Sequence, residues 1–265
     1  MILNTNILLG AVAGDIIGST YEFNNVKTKD FNLYPENSKF TDDTVMTIAV
    51  ADALLKNKDF SENLWNFGRK YFHGRGYGGN FKNWLLNTDR KPYQSYGNGS
   101  VMRVSPVGFY AKNRDELFQK AVETCAPTHD CPESYNAAKY ISLAIFMAKS
   151  GRDKKEIGDI LDQKFPEYMI KQSLDEIRYY YVFDVSAEGT APYSVKAFLE
   201  STDYEDAIRN AISIGGDSDT LAIITGAIAM AYYKEMPQEI ADFIIQKLPE
   251  EFMEIMIEFD SKYNR

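Results

Sequence analysis

The chain has 265 residues, a formal net charge of −9 and only two cysteines, Cys125 and Cys131. That acidity excludes a broad nucleic-acid or anionic-membrane face, both of which need a basic surface. With 45% hydrophobic and 25% charged residues the chain can bury a sizeable core without disulfide staples, which predicts one soluble, cytoplasmic, monomeric domain over 1–265.

In chain order, the first apolar segment is Ile7–Ile17, whose small residues Gly10, Ala11, Ala13 and Gly14 suit a tightly packed buried helix. No basic stretch precedes it and Asp15 interrupts it, so it does not read as a signal peptide. The polar segment 24–39 follows. Thr44–Leu55 is apolar almost all round and belongs inside a bundle. Helical spacing recurs over Leu64–Phe72, Glu116–Thr124, Glu133–Lys149, Lys154–Gln163, Tyr193–Glu200, Tyr204–Ser213, Thr220–Tyr233, Gln238–Gln246 and Glu251–Tyr263. The run 221–233 is shorter than the roughly 20 apolar residues a bilayer needs. The best strand signal, RYYYVFDV at 178–185, reads equally as an extended segment or as a helix and its exit. Breakers fall at GRGYGG (74–79), SYGNGS (95–100) and CAPTHDCPE (125–133). There is no alternation of strand and helix and no fixed-period repeat. The fold class is therefore all-α, a compact orthogonal multi-helix bundle.

Two stretches carry chemistry. FTDDT (40–44) and IGGDSDT (214–220) each place a Thr/Asp cluster in front of a helix too apolar to face water. One Asp per helix is explained as an N-cap stabilised by free N–H groups and the helix dipole. Each cluster supplies twice that, and neither has Lys or Arg on its helical side. If both helices are central, the surplus carboxylates share a semi-buried site, where they repel unless protonated or metal-bound. Two readings remain open at this point: elaborate capping, or a hard cation such as Mg²⁺ held by oxygen donors. Gly215 and Gly216 point to close backbone packing beside the second cluster.

Taken in order, GAVAGDIIGSTYEF, FTDDTVM, RGYGG, SYGNGSVMRVSPVG, THDCPES and IGGDSDT resemble the ADP-ribosylglycohydrolase family over about Leu8 to Tyr233. The resemblance implies a bundle with a central two-metal cleft holding two Mg²⁺ ions, or Mn²⁺ in their place. It further implies removal of ADP-ribose from a modified protein side chain or a related ADP-ribosyl compound. The family's metal ligands fall on Thr41, Asp42, Asp43, Asp217, Asp219 and Thr220. Glu22, in GSTYEF, becomes a metal gate or an acid/base group, a role Asp42 or Asp43 could also take. Asp15 reads as a partnered buried carboxylate that supports the metal shell or caps a neighbour.

The same resemblance carries ADP-ribose contact to Ser95, Tyr96, Gly97, Asn98 and Gly99, and phosphate contact to His129. Arg103 reads as a structural ion-pair partner or as a residue that supports the site from behind, the structural role being preferred, and His73 as a surface or packing residue. A Cys₂His₂ zinc site built from Cys125, Cys131, His73 and His129 fits no usual spacing. Tyr96 or Tyr77 is expected as an exposed platform for adenine. Relatives often carry glycines near Met230 and Lys234, where this chain has none; the segment 24–39, a lid in the family, bears on substrate choice. The rival function is a module that binds ADP-ribose or a nucleotide without turnover, which complete ligands disfavour.

Overall fold

Glycines decide which two helices approach closest. Added Cβ atoms at Gly10, Gly14 and Gly18, one per turn along one face, would lie 2.4 Å from Met230 Cβ, 2.0 Å from the Ala222 oxygen and 2.5 Å from Asp219 Cα. A Cβ on Gly226 would lie 2.2 Å from the Gly10 oxygen. No side chain fits between these backbones, so the first helix lies directly on the 218–233 helix; the small residues of 7–17 predict the tight packing, and the fold supplies the partner.

The structure, a computed structural model, describes residues 2–264 and is all-α there, with no strand. Its helices are α1 (Leu9–Gly18), α2 (Asp42–Lys56), α3 (Phe60–Lys70), α4 (Gly79–Leu86), α5 (Ser105–Tyr110), α6 (Arg114–Cys125) and α7 (Pro132–Lys149). They continue with α8 (Lys154–Lys164), α9 (Leu174–Tyr180), α10 (Ala187–Leu199), α11 (Tyr204–Ile214), α12 (Ser218–Tyr233), α13 (Gln238–Ile245) and α14 (Glu250–Tyr263). Single 3₁₀ turns occupy Asn98–Ser100 and Pro166–Tyr168. Every segment with helical spacing is a helix, with ends shifted by a few residues.

Three helices escaped the periodicity. Helix α4 starts inside the glycine-rich GRGYGG run, and α5 spans six residues with Pro106 in its first turn. Helix α9 has a capping box. Ser173 accepts from the Glu176 N–H, and the Glu176 carboxylate accepts from the Ser173 N–H. The run 178–185 proves to be the end of α9 and its extended exit, held by an isolated antiparallel bridge between Gly97 and Ser186.

Helix α12 packs against α1, α7, α10 and α11; α2 packs against α3, α5 and α14. Both are buried almost all round, in one apolar cluster that runs from Ile2 to Phe259. The N-termini of these two central helices set the position of the site. Among the described residues, no helix is long and apolar enough to cross a membrane.

Candidate active site

The first acidic cluster is ordered by a residue from another helix. Thr41 is the N-cap of α2, and its hydroxyl oxygen accepts from the Asp43 N–H. Asp15, fully buried in α1, accepts from the Thr41 N–H at 2.9 Å, the Thr41 hydroxyl at 2.7 Å, the Thr44 N–H at 3.2 Å and the Thr44 hydroxyl. One carboxylate thus satisfies the free donors of a buried helix start, work that bulk water would do at a surface. The expectation that Asp15 caps a neighbour holds. With that task filled by Asp15, the Asp42 and Asp43 side chains face elsewhere.

The second cluster follows a turn of two left-handed glycines, Gly215 and Gly216, both at φ +75°. A Cβ on Gly216 would lie 2.6 Å from Tyr181 Cε1, so the position needs glycine for conformation and for space. Asp217 precedes α12 without capping it. Its carboxylate accepts instead from the Asn98 amide at 2.7 Å, and that amide also donates to the Thr190 hydroxyl at 3.3 Å. Asp219 accepts from its neighbour's N–H, Thr220, at 3.0 Å. The Thr220 hydroxyl donates to Asp43 at 2.8 Å and joins the two clusters.

Glu22 lies just beyond α1. Asn25 exchanges hydrogen bonds with the Gly216 N–H and oxygen at 2.7 and 2.9 Å. Lys27 donates to the Tyr181 oxygen at 2.7 Å and to the Ile214 oxygen. The loop that carries Glu22 is thereby tied to the turn that carries Asp217. Glu22, Asp217 and Asp219 each offer an oxygen within 4.8 Å of the other two.

None of these carboxylates forms a salt bridge among the described residues. Burial, and then the charges of Asp217 and Asp15, push Glu22 up to about 7 against the weaker pull of Lys39. Burial, then Asp15, also holds Asp42 and Asp43 well above the usual carboxylate range. Asp219 is raised likewise, by burial and then by Asp217 and Asp43. Dry, crowded carboxylates prefer a proton or a cation to mutual repulsion. The donors are oxygens only, with no His or Cys among them, a set that suits a hard divalent cation.

These groups form one end of a cavity of about 320 Å³. The other end is lined by Ser95, Gly97, Gly99, Arg103 and His129. There the Ser95 hydroxyl accepts from the Gly97 N–H, and the Asn98 N–H donates to the Val185 oxygen at 2.7 Å. A Cβ on Gly99 would lie 3.0 Å from His129 Cε1, so the bare loop makes room for the imidazole.

Of the residues singled out from sequence, Glu22, Asp42, Asp43, Asp217, Asp219 and Thr220 line the cavity at the acidic end. Ser95, Gly97, Asn98, Gly99 and His129 line it too. Thr41 does not; it sits behind Asp43, between Asp15 and the start of α2. Tyr96 points outward, 71% exposed. Two expectations are corrected. Tyr77 is no exposed platform: it is 1% exposed and packs on Phe81. Arg103 pairs with no carboxylate among the described residues; it donates to the Thr124 oxygen and the Thr128 hydroxyl and lines the cavity, which leaves the supporting role rather than the ion pair. His73 is exposed. The sequence reading gave no cavity role to Arg75, Gly76, Phe81 or Tyr93, which also line it. The motif RGYGG held the available signal for the first two: Gly76 has φ +102°, and a Cβ there would lie 2.9 Å from Asp42 Oδ1.

The sequence profile of the ADP-ribosylglycohydrolase family matches residues 5–259, so the chain belongs to that family. It is 26% identical to the ADP-ribosylhydrolase ARH3 of Xenopus tropicalis, covering 86% of each chain. It is also 26% identical to the ADP-ribosylarginine hydrolase Tri1 of Pseudomonas putida, covering 93% of this chain and 76% of Tri1. Among solved structures, a chain of an ADP-ribosylglycohydrolase-related protein complex superposes with a TM-score of 0.74 at 21% identity, over 97% of this chain and 96% of that one. At that identity the likeness speaks for the fold.

Proposed function

We propose that this protein is an Mg²⁺-dependent hydrolase that removes ADP-ribose from a modified protein side chain or a related ADP-ribosyl compound. The observation that carries the reading is the convergence of two sequence-distant acidic clusters, with no cation paired to them among the described residues, in a cavity that ends on a glycine loop and a histidine. The family and the names of the relatives support the ADP-ribosyl part.

Two ions would be held by Asp42, Asp43, Asp217, Asp219 and Thr220; Thr41, whose hydroxyl is taken up by Asp15 and the Asp43 N–H, orders the start of α2 behind them. Bound there, Mg²⁺ would supply charge neutralisation, a grip on ribose hydroxyls and an acidified water. The rest belongs to the chain. Asn98 and Thr220 fix the directions of Asp217 and Asp43. Glu22, at the mouth of the cluster, is placed to exchange a proton with water or the departing group. At the far end, the Gly97 and Asn98 N–H groups are engaged within the protein. A diphosphate there meets Gly99, Ser95 and the His129 ring. Hydrolysis occurs at the anomeric carbon of the ribose nearest the acidic cluster. The net acidity leaves nucleic acid an unfavourable partner, and we read the chain as one domain acting as a monomer.

The test is a panel of substrates ADP-ribosylated on arginine, serine, a nucleobase or a small alcohol, assayed for free ADP-ribose with Mg²⁺ and with chelator. Release from at least one linkage, abolished by chelator, is expected. Binding of ADP-ribose with no release from any substrate would overturn the reading in favour of a binding module.

A further inference from the structure

Among the described residues Arg103 is the largest fully buried side chain, 1% exposed, and no carboxylate pairs with it. Its Nη2 donates to the Thr124 oxygen at 2.9 Å and the Thr128 hydroxyl at 2.8 Å, while its buried Nε has no partner among the described residues. An unpaired buried charge costs several kcal/mol unless something compensates it. Yet Arg103 is among the residues that line the cavity, as are His129 and the glycine loop.

The contacts continue outward. The Thr128 hydroxyl oxygen lies 2.7 Å from His129 Nδ1. A guanidinium can only donate, so Thr128 accepts from Arg103 and must direct its single proton to another acceptor. Two are at hand: His129 Nδ1 and the phenol of Tyr93, which lies beside the same hydroxyl. If the proton goes to Nδ1, the imidazole carries its own hydrogen on Nε2. That edge of the ring faces the bare loop, 3.1 Å from a Cβ placed on Gly99 and 3.7 Å from one on Gly97.

We propose that Arg103 is a positioning residue: through Thr128 it sets His129 with its hydrogen on Nε2, aimed into the cavity as a donor to the substrate's diphosphate, whose charge the guanidinium itself awaits. Burial, and then the charge of Arg103, hold the imidazole well below its usual pKa, which agrees with a neutral ring. The opposite tautomer would present a bare nitrogen lone pair to an anion. The choice of diphosphate rests on the ADP-ribose reading; the tautomer does not.

The chain has two histidines, so His73→Gln leaves His129 alone in a ¹⁵N-histidine NMR spectrum. In that background we expect a protonated Nε2 and an unprotonated Nδ1. Thr128→Val, close to isosteric, should lose this pattern and weaken ADP-ribose binding about tenfold, the effect of one charge-assisted hydrogen bond, with kcat changed far less than KM. Arg103→Met should weaken ADP-ribose binding at least as much, and Arg103→Lys should recover part of the loss. Mg²⁺ affinity should stay unchanged in Thr128→Val, which separates positioning from general damage. A hydrogen on Nδ1 in the parent protein, or unchanged ADP-ribose affinity in a folded Thr128→Val, overturns the proposal. Should the parent protein bind no ADP-ribose, the functional reading falls, and the NMR spectrum alone decides the tautomer claim.

Discussion

The Thr220 hydroxyl donates to the Asp43 carboxylate at 2.8 Å, although 177 residues separate them in the chain. This bond joins the starts of the two central helices, α2 and α12. It exists because α1 presents one face of glycines to α12 and an Asp to α2.

Asp15 should be a stability residue whose loss also disturbs the site. Asp15→Ala strips four hydrogen bonds from the buried start of α2 and leaves its N–H groups dry. We expect a loss of about 2–4 kcal/mol in urea unfolding, with weaker Mg²⁺ binding in the protein that still folds. An unchanged midpoint would show that water replaces the carboxylate.

Two glycine-to-alanine changes should move stability in opposite directions. At Gly14 the new Cβ meets the Ala222 backbone, which has no means of yielding, so a loss of about 1–3 kcal/mol or more is expected. At Gly158, inside α8, the nearest atom is Leu199 Cδ1 at 3.6 Å, an ordinary contact. There, alanine should gain about 0.5–1 kcal/mol from helix propensity. Thermal unfolding of the two variants side by side checks both.

Lys234 ends α12 at φ +67°, a conformation that glycine takes at little cost. Lys234→Gly should therefore leave the fold intact and raise stability by up to about 1 kcal/mol. A clear loss in chemical denaturation would show that the lysine side chain contributes more than its backbone strain costs.

Metal and pH should be linked. Glu22 stands at about 7 against an ordinary 4.5, and Asp42, Asp43 and Asp219 are also raised. Raised carboxyls bind more protons folded than unfolded, so their contribution is complete below the unfolded values and fades as pH climbs through the folded ones. In chelator, stability should drop between about pH 4.5 and 7, and further above, relative to the same protein in saturating Mg²⁺. A gap between the two conditions that stays constant with pH would contradict this.

How much of this was legible beforehand differs from residue to residue. The helices with a clear apolar stripe were readable because burial imposes the period. The doubled Thr/Asp clusters were readable because capping needs only one carboxylate per helix. Asp15 could be flagged as odd, but its partners lie 26 and 29 residues away and only the fold brings them together. For Arg103 the sequence leaves an ion pair and a supporting role beside the site both open, because it cannot show that the guanidinium's partners are a threonine hydroxyl and a carbonyl. Tyr77 stands between glycines, a setting that suggests exposure, but the fold turns its ring onto Phe81, and of those glycines Gly76 is the one that lets the backbone pass close to Asp42. Helices α4 and α5 stayed hidden behind Gly and Pro, which mark turns as often as helix starts.

Calorimetric titration of Mg²⁺ into the wild type, Asp43→Asn and Asp219→Asn tests the central claim most directly. Each substitution removes one charge from a different segment. If the two clusters form one cation centre, both variants lose the same binding event that the wild type shows, while their helical circular dichroism persists. Undiminished Mg²⁺ binding in either folded variant would contradict a shared centre.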